Sequence, residues 1–512
     1  YGVDIEKGAV DVARLRFWLS LIVDEPEPKA LPHLDYKIVV GNSLLSKLDD
    51  TIIDIDWNLD DTQHGLFGSE LAQERAAILQ RISDKQKAVF DPNSDDEKLS
   101  LEIRNLKIDL LSKQLELMIN TQNIPKEPKI ADYQNKTKAK FVQDQAKYFE
   151  TMGWQQQITK LQKLKKQPEA PLHFFDWKLD FPELMNEQVA DKIGFDIVIG
   201  NPPYVSAPTM VKSNSKMRDE IIEIGKYSTL YQKWDLYIPF MELGLQLLAN
   251  KGIFSMIVPY PLTNQNYGMK LRELIINQYN LKEIVDLNGT KIFENATVSN
   301  CIPFISKSIP DDACFVSNLN KFGKIERDFS QTFTDLVQDE KTLVWNLTSE
   351  KRETTRYTNM NVLGDYCYVS VGMVLNADEK TAKGEFSKDD LISESYDEIH
   401  CRKYIEAKDI ERYNVKRIRY LEYNTKRCPD NLRRPTFREL YEQPKLMFNR
   451  LGNLMVYLDT ETKFLHSDSM YSAVLWKDFE GVDNKSISTS VKRYSNLQRK
   501  EMVELSKGID LQ

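Results

Sequence analysis

Asn201-Pro202-Pro203-Tyr204 is the stretch of this sequence in which residue type and order combine into possible chemistry. The two prolines fix the local backbone and bring no amide N–H of their own to compete for nearby carbonyls. Beside them the Asn201 side-chain oxygen offers a second acceptor. Two acceptors so placed can take both hydrogens of an exocyclic amino group, turn its lone pair toward an electrophile, and reject a substrate that lacks the group. The Tyr204 ring adds a flat apolar face on which a base can stack. Taken alone, the same four residues also read as an ordinary tight turn.

The elements around them argue for the chemistry. Phe195 to Gly200, apolar except for Asp196, reads as a buried strand ending at Asn201, and an open parallel sheet binds its ligands at the carboxyl ends of its strands. Upstream, Tyr1 to Ile5 reads as the end of another strand, finished by Asp4, an acid suited to a ribose hydroxyl pair. A helical pattern from Ala9 to Ile22 and a strand from Tyr36 to Val40 follow, and the strand ends at Gly41-Asn42, where the polar side chain suits the amino edge of an adenine. After Tyr204 the pattern predicts a helix over Asp235 to Ala249, a strand over Gly252 to Pro259, a helix over Met269 to Gln278, and strands over Leu281 to Leu287, Ser299 to Ile305 and Ala313 to Ser317. Strands alternating with helices predict an α/β sheet.

Ser69 to Val89, Asp95 to Asn120 and Lys138 to Lys166 are long, glycine-poor and amphipathic, broken by Asp91-Pro92-Asn93 and by Ile124 to Pro128. Leu99, Ile103, Leu106, Leu110, Leu111 and Leu117 form an apolar stripe, so residues 61–169 read as a helical insertion whose stripe is a packing surface; the functional alternative is an arm that clamps DNA. The catalytic domain is then expected over 1–60 and 170–317, and a mixed α+β domain over 318–512.

Composition bounds the partners. With 512 residues, 41% hydrophobic and 29% charged, the chain can bury several cores, which excludes disorder for most of it. No apolar run is long enough for a membrane span and the amino terminus lacks a signal-peptide pattern, so a cytoplasmic protein is expected. Five scattered cysteines without C-x-x-C spacing are expected to be packing residues, and no metal site is expected. The net charge of −8 argues against a surface that coats nucleic acid as a whole. Residues 401–450, however, hold fourteen Lys/Arg against seven Asp/Glu, a local excess of +7. Arg412, Arg417, Arg419, Arg433, Arg434 and Arg438, interleaved with tyrosines, are candidate DNA contacts there; the competing reading is a solvated charged face.

Four segments in this order, Gly2-Val3-Asp4-Ile5, Gly41-Asn42-Ser43-Leu44, Phe195 to Val205, and Asp235-Leu236-Tyr237-Ile238-Pro239-Phe240, resemble the gamma-type S-adenosylmethionine-dependent DNA adenine-N6 methyltransferases. The likeness is to the methylase part of Eco57I-like (type IIG) restriction-modification enzymes and to the methylases of BREX phage-exclusion systems. It covers roughly residues 1–305 and extends more weakly through Lys403 to Ile410 and Arg433 to Phe437, which look like a target-recognition domain. The resemblance implies a Rossmann-like methyltransferase sheet. Asp4 would bind the cofactor ribose and Asn42 the cofactor adenine amino group, at a position where related enzymes often carry Asp, while Phe240 would line the adenine pocket. Asn201 and the Pro202 carbonyl, held by Pro203, would grip the target N6 amino group, and Tyr204 and Phe293 would stack on the flipped base; for Phe293 a plain core role is an equal alternative. The partner implied is double-stranded DNA.

The family carries a glycine-rich loop upstream of Gly2-Val3-Asp4 that cradles the methionine end of the cofactor, and no such loop occurs near Tyr1. The expectation is therefore a fragment of a longer polypeptide that binds S-adenosylmethionine weakly or not at all, with any nuclease domain in the parent polypeptide or a partner chain. Two other functions remain open: a DNA-binding specificity module without catalysis, and an RNA or protein N-methyltransferase.

Overall fold

A computed structural model describes residues 1–23, 34–48, 51–57, 59, 66–89, 95–122, 124, 126–133, 138–187, 189–290, 292–293, 299–311, 313–320, 322–337, 342–348, 362–451, 454–461, 463–494 and 497–510. The Asp91-Pro92-Asn93 break, Pro125, and all of Lys291 to Thr297 except Ile292 and Phe293 lie outside these. The chain divides into two units, Tyr1–Lys351 and Arg352–Gln512. Among the described residues no helix is long and apolar enough to cross a membrane.

The first unit opens with β1 (Gly2–Asp4), α1 (Lys7–Val23) and β2 (Ile38–Val40), and β1 pairs with β2 in parallel, Asp4 opposite Val40. The main sheet is built from β3 (Phe195–Gly200), β4 (Leu248–Met256), β5 (Val258–Pro259), β6 (Asn280–Asp286), β7 (Asn300–Ser306), β8 (Ala313–Leu319) and β9 (Ile325–Thr332), in the order β9-β8-β6-β7-β4-β3, with β5 also on β7. It is mixed: β3 runs parallel to β4 and β6 to β8, while β7 lies antiparallel between β4 and β6. Because β9 pairs along the whole of β8, the first unit continues past residue 317, where its end is expected from the sequence.

Helices α5 (Ala207–Ser213), α6 (Tyr237–Gln246) and α7 (Met269–Gln278) belong to the same unit. α6 is apolar almost all round and is buried accordingly, with Tyr237, Ile238, Met241 and Leu245 fully inside. The expectation of a buried strand at Phe195 to Gly200 is not met: Phe195, Val198 and Gly200 are half-buried and the other three residues are exposed. Ile197 and Ile199 are 67% and 77% exposed, and one edge each of β3 and β1 has no strand partner among the described residues. α1 shares this character: Val12, Leu15, Phe17, Leu19 and Ile22 are exposed and only Val10 is buried.

Within the insertion, α2 (Leu66–Ala88) and α4 (Lys138–Lys165) both pack on α3 (Asp96–Gln122). The α3 stripe is their core: Ile103, Leu106, Leu110 and Leu111 are buried with Trp154, Ile158 and Leu161 of α4. That core also takes in Ile53, Phe174 and Leu179, from outside 61–169, and a buried ion pair, Lys107 Nζ to Asp180 Oδ1 at 2.6 Å, ties α3 to the segment leading into β3.

The second unit is built on short strands: β10 (Cys367–Val371), β11 (His400–Ile405), β12 (Arg419–Glu422), β13 (Leu432–Arg434), β14 (Lys445–Asn449), β15 (Val456–Asp459) and β16 (Met470–Leu475). One four-stranded sheet has the order β10-β16-β14-β15; in a second, β12 pairs with β11. Its core holds Tyr404, Tyr441, Trp476 and Phe479, together with a fully buried Lys445–Asp459 pair at 2.7 Å. Four of the five cysteines are buried and Cys401 is half-buried.

Candidate active site

The carboxyl ends of β1, β2 and β3 open into one cavity of about 610 Å³. Its lining brings together Asp4, Asn42, Asn201, Pro202, Pro203 and Phe240, residues up to 236 positions apart in the chain, with Trp177, Phe195, Met217, Leu243 and Met256 as apolar walls. The first two loops are tied to each other, because the Gly41 amide donates to the Asp4 carbonyl at 2.9 Å. Gly41 has to be glycine: a Cβ there would lie 2.4 Å from Cγ of the buried Phe175 ring.

The polar groups divide by position. Asp4 is exposed, and its Oδ1 accepts the Glu6 amide at 2.8 Å. The Asn42 side chain differs from its expected role. Oδ1, the atom that would accept from an adenine amino group, already accepts the Leu44 and Leu45 amides at 3.0 and 3.2 Å. With both lone pairs used, Asn42 offers the cavity its Nδ2 donor, which suits a ring nitrogen and not an exocyclic amine.

Asn201 is exposed and Pro202 buried; among the described residues neither the Asn201 side chain nor the Pro202 carbonyl accepts a hydrogen bond. Their loop is pinned from behind. Leu236 N donates to Val205 O at 3.0 Å, and Asp235 Oδ1 caps α5 by accepting Ala207 N at 2.9 Å while its Oδ2 accepts Tyr267 OH at 2.8 Å.

Tyr204 and Phe293 do not line this cavity. They face each other, with ring centroids 6.1 Å apart and planes at 80°. At that angle a planar base can lie flat on one ring only, so the expected stacking by both together is not available in this arrangement. The Tyr204 hydroxyl donates to Ile257 O and accepts from Asn300 Nδ2, both at 3.0 Å, and burial pushes its pKa up to about 12. Sequence reasoning does not find Asn300, whose contact with Tyr204 spans 96 positions, and it names Asp235 only as part of a motif.

In the second unit the six arginines part company. Arg412, Arg433, Arg434 and Arg438 are exposed, with Arg438 bonded to Glu442 at 2.5 Å. Arg417 is exposed and paired with Glu394 at 2.5 Å. Arg419 is 6% exposed, held between Glu406 (2.9 Å) and Asp409, with its guanidinium over the Tyr404 ring. Contrary to the sequence expectation, Arg419 has no exposed face to give a phosphate.

Comparison with known proteins adds the following. The family model for the Eco57I restriction-modification methylase matches residues 1–293. The chain is 35% identical over 127 residues to the type II methyltransferase M.BstVI of Geobacillus stearothermophilus, covering 24% of this chain and 21% of that protein. It is 27% identical over 337 residues to the putative type II restriction enzyme and methyltransferase RM.MjaORFECS2P of Methanocaldococcus jannaschii, covering 60% and 26%. With the type II restriction enzyme and methyltransferase RM.Eco57I of Escherichia coli it shares 30% identity over 121 residues, covering 24% and 12%. The chain thus spans about a quarter or less of the length of these relatives.

Proposed function

The chain belongs to the Eco57I restriction-modification methylase family, and on that premise we propose that it carries the catalytic site of a DNA adenine-N6 methyltransferase that uses S-adenosylmethionine. The observation that carries this reading is the single cavity joining nucleoside-binding groups to the paired acceptors of Asn201 and Pro202. Its volume lies within the roughly 300–1,000 Å³ typical of small-molecule sites.

The donor set fits the cofactor. Asp4 would accept the ribose hydroxyls, Asn42 Nδ2 would donate to a ring nitrogen of the adenine, and Phe240 would pack on that ring. When bound, the cofactor supplies an electrophilic methyl group on a sulfonium. Asn201 Oδ1 and the Pro202 carbonyl would each accept one hydrogen of the target amino group. That leaves its nitrogen lone pair directed at the methyl carbon, and no metal or covalent enzyme intermediate is required. The base reaches these acceptors only outside the duplex, with the Tyr204 ring as a stacking surface. Arg412, Arg417, Arg433, Arg434 and Arg438 are the proposed phosphate contacts of a target-recognition domain, and Arg419 is not among them.

Asn201→Ala tests this reading. Losing one hydrogen bond aimed at the transition state costs on the order of 2–4 kcal/mol, a fall of about 30- to 1,000-fold in turnover. The side chain makes no bond within the described protein, so folding should be unaffected. N6-methyladenine measured by mass spectrometry in DNA treated with the polypeptide that carries this chain is the readout, and activity within about threefold of wild type would sink the assignment.

A second reading, a DNA-binding module without turnover, is favoured by β1 and β3, which both line the cavity and each have one edge without a strand partner among the described residues. Titrations of the polypeptide that carries this chain with labelled cofactor and with duplex DNA separate the two, because the module binds only the second.

A further inference from the structure

We propose that Asn300 is a positioning residue for base stacking: by fixing the Tyr204 hydroxyl to the sheet it sets the plane of the ring on which the target base lies. The proposal rests on the reading of Tyr204 as the stacking surface.

The Tyr204 hydroxyl has its donor engaged inside the protein. Its one hydrogen goes to Ile257 O and one lone pair receives Asn300 Nδ2, each at 3.0 Å. It has no proton to give a substrate, so what Tyr204 contributes is its ring. The hydroxyl oxygen lies on the axis of the second torsion, so holding its position restricts the first torsion, while the preference of a phenol's O–H and lone pair for the ring plane lets two bonds of different direction restrict the second. The tether sits on well-anchored backbone: Ile257 joins β4 to β5, and Asn300 begins β7, paired with Pro259 and accepting Leu287 N at 3.2 Å.

Asn300 itself is 1% exposed, and both hydrogens of its amide are placed, one on Tyr204 and one toward Val258 O at 3.4 Å. Its Oδ1 is buried and without a partner among the described residues. An unsatisfied buried carbonyl is costly, and the amide holds an orientation that favours donation to Tyr204 over satisfying its own oxygen. The Tyr204 ring stands at 80° to Phe293, so a base lying flat on Tyr204 meets Phe293 at a steep angle.

The test needs neither cofactor nor a recognition sequence. 2-Aminopurine deoxyriboside, whose fluorescence falls on stacking, is titrated into the full chain and into Asn300→Ala, Tyr204→Phe, the double variant, and Tyr204→Ala. The expected result is quenching by wild type that Tyr204→Ala abolishes. Asn300→Ala and Tyr204→Phe should each weaken binding by about two- to tenfold, the worth of a net hydrogen bond, and the double variant should be within twofold of Tyr204→Phe. Three results overturn the proposal. Wild-type binding by Asn300→Ala while Tyr204→Ala has lost it removes the positioning role alone. Losses that add in the double variant show that Asn300 acts on the fold and not through the Tyr204 hydroxyl. Absence of quenching by wild type removes the stacking surface and with it both this proposal and the reading it rests on.

Discussion

Replacing Arg419 by alanine separates an arginine that holds the second unit together from arginines that could hold DNA. Arg419 lies on β12 directly opposite Tyr404 of β11, and its guanidinium meets Glu406 at 2.9 Å and Asp409 closer still, all three side chains being 7% exposed or less. Removing one partner of a buried ion pair leaves the other charge uncompensated and costs about 3–5 kcal/mol. Glu406 would keep Lys388, Lys408 at 3.1 Å and the Tyr404 hydroxyl at 3.2 Å, and Asp409 would keep the Glu406 amide at 2.8 Å. These remaining partners place the loss at the lower end, about 3 kcal/mol, which for a unit of this size lowers the melting midpoint by roughly 6–12 °C. Calorimetry on the full chain, following the transition of the second unit, gives the shift. DNA binding measured against salt at a temperature where the variant is folded gives the other half of the answer, since each lost phosphate contact flattens the slope by about 0.9. A midpoint within 1 °C of wild type, together with a slope reduced by about one, would refute the buried assignment and return Arg419 to the DNA surface.

The exposed pair should behave in the opposite way: Arg433→Ala with Arg434→Ala should leave the stability within about 0.5 kcal/mol of wild type and flatten the salt slope by roughly one to two units, an unchanged slope meaning a solvated face. Gly41→Ala would place a methyl 2.4–2.5 Å from two atoms of Phe175, whose ring is hemmed in by Trp177 and Phe181; a loss of about 1–3 kcal/mol in urea unfolding is expected, and a neutral result would show that the ring can move. Acid should unfold the second unit in two overlapping windows. Burial holds the His466 pKa down at about 4 against an ordinary 6.5, so stability falls as the unfolded chain takes up a proton from pH 6.5 down to about 4. Glu406 resists its own burial through Lys388, Arg419 and Lys408, which hold its carboxyl at about 2 against 4.5, so its contribution is complete above pH 4.5 and lost between there and about 2. Each window is worth up to about 3 kcal/mol, and urea midpoints for His466→Gln that keep the wild-type slope between pH 6.5 and 4.5 would remove the histidine from this account. Finally, calorimetry on residues 1–512 should detect S-adenosylmethionine only weakly or not at all, since each hydrogen bond from Asp4 or Asn42 adds about 0.5–1.5 kcal/mol net beside an open edge; micromolar binding would show the cavity to be sufficient as it stands.

Local order along the chain was enough to locate the two acceptors at Asn201 and Pro202, the strand ends bearing Asp4 and Asn42, and the three long helices. α7 runs over Met269–Gln278 as its apolar spacing predicts, and β1, β2 and β3 begin or end within two residues of the expected limits. These features are legible because a strand or helix writes its own period into the sequence and because chemical groups on a loop follow directly from residue type. The exposure of β3, the antiparallel seating of β7, the continuation of the first unit through β9, the engagement of Asn42 Oδ1, the burial of Arg419 and the tether from Asn300 to Tyr204 are all absent from that local record. Each is decided by a partner tens of residues away, and an arginine that pairs with two buried carboxylates has the same side chain as one that reaches for a phosphate. Only the tertiary structure, by fixing which groups meet and which meet water, commits the one to the interior and leaves the other exposed.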